Sequence, residues 1–189
     1  MRKFILVALL FLASVNLIAQ EHLSFKGIPI QGSMAEFCQK LKTKGLKQLG
    51  YEEKVALFTG DFTGRDATIA VTASDDGKNV YGVVVIFSYS EEWNTLVDTY
   101  DYYKDLYTRK YKTPSITKEK NPARNDSNIA LMAEVHQGTV EYYSVWEVTG
   151  GKIQLSIEKS SGVYEGMVII RYQDSQNVET KIQKDLEEI

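Results

Sequence analysis

The chain has 189 residues, a formal net charge of −3 with neutral histidines, 43% hydrophobic residues and 12 tyrosines. That composition suits a folded globule rather than a disordered tail, and its mild acidity excludes the basic patch that nucleic-acid binding requires. The single cysteine, Cys38, excludes an internal disulfide.

The first residues set an expectation of export. Arg2 and Lys3 precede the apolar run "ILVALLFLASVNLIA", which ends in small residues. The run is too short for a comfortable membrane span, and a polar chain follows it. Residues 1–20 are therefore read as a signal peptide cut near Ala19 or Gln20, with an uncleaved amino-terminal anchor as the alternative. After cleavage no membrane span is expected. No cysteine closes the apolar run, so no lipid anchor is expected. The expected location is periplasmic or secreted. Residues 21–189 have the length of a single domain.

"HLSFKGIPI" reads as a first extended segment, since Leu23 and Phe25 alternate with polar residues. Ser33 and Glu36 form an S-x-x-E capping box, which pairs two N–H groups at a helix start. Met34, Phe37, Cys38 and Leu41 then follow the spacing of one helix face, so Cys38 is read as a core residue rather than a reactive thiol. Gly45 supplies a left-handed stop. Three strands follow, near Lys54–Phe62, Asp66–Ser74 and "NVYGVVVIFS". In the second, Ala67, Ile69, Val71 and Ala73 share one face. Asp76-Gly77 marks the turn before the third.

A long helix is expected from about Glu91 to Lys112, capped by Ser88 or Ser90. Trp93, Leu96, Tyr100, Tyr103 and Tyr107 recur at three- and four-residue steps. Such a stripe is either a ligand platform or, as preferred here, packing against a sheet. "KTPSITKEKNPARNDSN" reads as a mobile connector. Strands resume near Ile129–Val135, which places His136 in a strand, and continue in "TVEYYSVWEV", "KIQLSIEK" and "GVYEGMVIIRY". A last helix presents Val178, Ile182, Leu186 and Ile189 on one face.

Two segments resemble each other: Phe62 to Phe87 and Val148 to Tyr172. Each runs from a Thr-Gly turn through an alternating strand and a glycine-containing turn to Val-Tyr and an apolar strand. The chain is therefore read as two tandem α-β-β-β units, about 21–88 and 89–173, followed by a carboxy-terminal helix over 174–189. The repeat also interprets "GDFTGRD" at Gly60–Asp66. Thr63-Gly64 matches Thr149-Gly150, so the stretch is a hairpin turn. Its carboxylates lack calcium-loop spacing, and no helix follows as a phosphate loop would need.

No motif for chemistry emerges. His22 and His136 belong to no metal-ligand cluster, and no nucleophile elbow occurs. Glu91-Glu92 and Glu187-Glu188 read as helix-end charges. No cofactor or metal is expected.

"FKGIPIQGSMAEFCQKLKTKGL" and the leader ending "LIAQ" resemble a group of small exported proteins of Bacteroidetes-type bacteria. The tandem layout is similar to the beta-lactamase inhibitor protein fold, and its single units to the BamE/SmpA assembly lipoproteins. The Gly32-Ser33 step into a helix matches that likeness. This chain lacks the lipid-bearing cysteine of the lipoproteins and the paired cysteines of the inhibitor. Shared fold alone would not carry function across.

The expected fold is α+β, an antiparallel sheet with helices packed on one face and the other face partly open. Gln154, Ser156 and Glu158 alternate with Ile153, Leu155 and Ile157, which puts them on the open face. Tyr142 and Trp146 share a face of the neighbouring strand; they either join the open face or point into the core. The expected function is a non-enzymatic exported binding module that recognises a protein or envelope component through that face. The alternatives are an envelope-assembly component working in a complex, and an enzyme whose acid–base site the sequence does not reveal.

Overall fold

The computed structural model describes residues 21–52, 54–119 and 127–189. The expected signal peptide lies outside them. Among the described residues the fold is a mixed α/β one, with four helices, one antiparallel sheet of eight strands and a separate two-stranded hairpin. No helix among the described residues is long and apolar enough to cross a membrane.

The chain opens with the hairpin β1 (Ser24–Phe25) and β2 (Ile28–Pro29). Lys26 and Gly27 both have positive φ, at 50° and 76°, which gives the turn the twist that antiparallel strands need. Leu23, Phe25, Ile28 and Ile30 are buried. Helix α1 (Met34–Thr43) starts at the expected capping box: Glu36 N donates to Ser33 Oγ at 3.3 Å and Ser33 N to Glu36 Oε2 at 3.2 Å. It buries Phe37, Cys38 and Leu41 and ends before Gly45, whose φ is 84°.

Four strands follow rather than the expected three. They are β3 (Lys47–Glu52), β4 (Val55–Phe62), β5 (Arg65–Ala73) and β6 (Val80–Phe87). The unexpected strand is β3, whose pairing slips between Gln48 and Gly50. A bulge of this kind breaks the alternation that marks a strand in sequence. Helix α2 spans Trp93–Tyr111. The short strand β7 (Ile116–Glu119) lies inside the stretch read as a connector; residues 120–126 of that stretch are outside the described residues.

The strand expected near Ile129–Val135 is instead helix α3 (Asn128–Gln137), and His136 therefore sits on a helix. Ser127 caps its start, accepting from Ala130 N, and Gly138 closes it at φ 71°. Its buried residues are Leu131, Met132 and Val135, a helical set, while Ile129 is exposed. The chain ends with β8 (Tyr142–Val148), β9 (Gly151–Lys159), β10 (Gly166–Asp174) and helix α4 (Ser175–Leu186).

The large sheet has the order β3-β4-β5-β6-β10-β9-β8-β7. Two four-stranded halves thus meet at β6 and β10, where Val84 pairs with Arg171 and Ile86 with Ile169. Helices α1, α2 and α3 bury their apolar faces against one side of it. The tyrosine stripe of α2 packs as expected: Trp93, Leu96, Tyr100, Tyr103 and Tyr107 are all buried. They meet Phe87, Trp146, Ile153, Ile170 and Tyr172 in a core shared by both halves. Burying each large side chain contributes roughly 1.5–3 kcal/mol. Phe25 stacks on Phe62 from one half and meets Tyr172 from the other edge-on, at 5.8 and 5.2 Å between ring centroids.

Two expectations about helix ends change. Neither Ser88 nor Ser90 caps α2. Ser90 Oγ accepts from Glu92 N, one residue too early, and Trp93 N donates to Asn128 Oδ1 at the start of α3. Helix α4 forms, but most of its apolar stripe does not pack: Val178 is half-buried, while Ile182, Leu186 and Ile189 are exposed. The residue that anchors α4 is polar. Asn177 is buried and its Nδ2 donates to the carbonyls of Ile30 and Val80, at 2.8 and 2.9 Å.

Candidate functional site

The sheet has a second side that α1, α2 and α3 leave uncovered. Strand register defines its rows. One row runs Leu57, Ala70, Val84, Arg171, Gln154, Val145 and Ile116, from β4 to β7. The next runs Thr59, Thr68, Ile86, Ile169, Ser156, Tyr143 and Lys118. Ala70, Val145 and Ile169 are buried yet stand apart from the main core. Val84, Ile86, Thr68 and Gln154 are half exposed.

Of the five residues expected on this face, Gln154, Ser156 and Glu158 are there together. Tyr142 and Trp146 are on the opposite side. Trp146 pairs with Ile153, not with Gln154, so it joins the core, where it is 1% exposed. Its Nε1 donates to the carbonyl of Lys112 at 3.0 Å, just past the end of α2. Tyr142 packs edge-on to Trp93 and Tyr100. Burial pushes its hydroxyl pKa up to about 12, aided by the nearby Asp101 and Glu119 charges.

The same register brings residues to the face that the sequence reading missed, Arg171 foremost. Its guanidinium grips Glu158 with both Nη atoms, one at 2.8 Å, and Nη1 also donates to Ser156 Oγ at 3.3 Å. Ser156 Oγ in turn donates to Glu158 Oε1 at 2.6 Å. Burial alone would raise the Glu158 pKa, but the hydrogen bonds from Arg171 and Ser156 outweigh it and hold the carboxyl below its ordinary range. A bidentate pair of this kind fixes both side chains in one orientation. At the end of the face lies a hollow of about 570 Å³, lined among others by Thr68, Ile86, Met167 and Ser160, with the exposed Tyr89 at its rim.

Elsewhere, His22 Nδ1 lies 3.1 Å from Asp174 Oδ2. The Asp174 carboxylate also accepts from Leu23 N and, as the cap of α4, from Asn177 N. Cys38 is buried, and that burial raises its thiol pKa. Among the described residues no group of three or more His, Cys, Asp or Glu side chains is placed to hold a metal ion. Comparison with protein-family models, curated proteins and solved structures returned no match to this chain.

Proposed function

We propose that this chain is an exported, non-enzymatic binding module that recognises a protein through the open sheet face. The observation that carries the reading is the pair of cross-strand rows. They place half-exposed aliphatic side chains around a fixed Arg171–Glu158 pair, on a scaffold of eight hydrogen-bonded strands. Protein interfaces combine an apolar centre, oriented polar groups and a pocket for an anchoring side chain. The hollow beside Ile86 and Tyr89 supplies such a pocket. The partner is a protein of the envelope or exterior, by the amino-terminal leader read from sequence.

We also read the sheet as two tandem units, each one strand longer than the sequence repeat suggests. In support, Thr63-Gly64 joins β4 to β5 and Thr149-Gly150 joins β8 to β9, and both glycines have φ of 83°. These turns hold corresponding places in the two halves of the strand order.

The test is capture of a partner from envelope extract by immobilised protein. Ile86→Asp puts a charge at the hollow of the face and is expected to abolish capture of the stoichiometric partner. Lys184→Ala, on α4, is expected to leave capture intact. Equal recovery of that partner by wild type and Ile86→Asp would show that the face is not the binding surface.

A further inference from the structure

On the helix side of the sheet, the amino-terminal hairpin and α2 do not close against one another. Between them lies a cavity of about 640 Å³, a volume typical of small-molecule sites. Phe62, Leu106, Tyr107 and Tyr172 give it an apolar, largely aromatic lining, and Lys26 and Lys110 stand among its polar groups.

The hydroxyl groups in this lining do not all close on the protein. Tyr103 is satisfied: its hydroxyl donates to the Phe62 carbonyl at 3.1 Å and contacts Thr63 Oγ1 at 2.9 Å. Tyr107 and Tyr172 are different. Their hydroxyls bond to each other, and among the described residues to no other group. Two hydroxyls carry two protons, and one mutual bond uses only one of them. The other O–H is left as a donor without a protein acceptor. Burial raises both pKa values, so both groups stay protonated in the neutral range.

The cations add to the same preference. Lys26 Nζ donates to the Asp61 carbonyl at 2.9 Å and lies 5.7 Å from the Phe62 ring centroid. Lys110 Nζ lies 4.9 Å from the Tyr111 ring centroid. Among the described residues neither ammonium is bridged to a carboxylate. Among the described residues the one carboxylate in the lining, Glu21, is exposed.

We propose that this cavity binds a carboxylic acid with an apolar body, of the medium-chain fatty-acid type. The body lies along Phe62 and Leu106. The carboxylate accepts from the spare tyrosine O–H and is drawn by the lysine ammonium groups. The site is on the opposite side of the sheet from the protein-binding face and does not depend on it.

Isothermal titration of the purified protein from Glu21 onward, with laurate and with dodecyltrimethylammonium, tests this. Laurate is expected to bind, and the cationic amphiphile to bind at least tenfold more weakly. The double variant Lys26→Glu, Lys110→Glu, which alters two lysine side chains outside the core, is expected to weaken laurate at least tenfold without shifting Tm. Leu106→Trp, which fills the cavity, is expected to block it. Absence of laurate binding would overturn the proposal. So would equal affinity for the two head groups, or laurate affinity unchanged in the lysine variant.

Discussion

At Gly64 an added Cβ would meet nothing within 4 Å, whereas at Gly150 it would collide with the Glu21 carbonyl and the Leu23 amide nitrogen. Both residues have φ of 83°, so alanine is strained at either one. Gly64→Ala should therefore cost about 1 kcal/mol, the strain alone. Gly150→Ala should cost on the order of 3 kcal/mol, because backbone must also move and the amino-terminal segment lifts from its place. Urea unfolding of the two variants measures the difference. A Thr-Gly turn is visible in sequence; the chain that crosses above only one of the two is not. The same holds for Trp146. Its face was legible in principle, since a two-residue turn at Thr149-Gly150 pairs Val148 with Gly151 and hence Trp146 with Ile153. Alternation says which residues of a strand share a face; which face is buried follows only when the register is carried across the turn. Arg171 needed two registers at once, β10 with β9 and with β6, and no local pattern supplies them.

Elements with complete local signals were the legible ones. Helix α1 carries its own capping box and glycine stop, and β5 and β6 carry clear apolar patterns. Elements specified by distant partners were not. Strand β7 is exposed at all four positions and owes its conformation to β8. Helix α3 reads as a strand because Ile129, Leu131 and Val135 mimic strand alternation; Ser127 and Gly138 are the local clue to a helix. The starts of α2 and α3 are also linked. Asn128 Oδ1 accepts from Trp93 N at 2.8 Å, and its Nδ2 donates to the Glu91 carbonyl at 2.9 Å. One side chain thus does the capping that the sequence assigned to a local serine. Asn128→Ala should cost about 1–2 kcal/mol, and Ser90→Ala less. Thermal unfolding of both variants, with helical content followed by circular dichroism, checks the order.

For the whole molecule, the order of the strands sets a gradient of protection. β6 and β10 are paired on both sides and sit farthest from either edge, while β3 and β7 are edges. Native-state hydrogen exchange should be slowest in β6 and β10, faster toward the flanks and fastest in β7. Comparable protection in β7 and β6 would contradict this account. The amino-terminal hairpin adds a feature in time rather than in space. A ribosome releases Leu23 long before Asp174, whose carboxylate its amide contacts at 2.9 Å, and before Gly150, which it overlies. The tie at Leu23 is therefore made late, while Phe25 can already stack on Phe62 and Lys26 can reach the Asp61 carbonyl. A chain cut before Asp174 keeps those hairpin contacts and loses the tie at Leu23. Limited proteolysis of such a chain should therefore trim the residues before Phe25 and spare the hairpin, so the near end of the fold carries a mark of whether its far half is present.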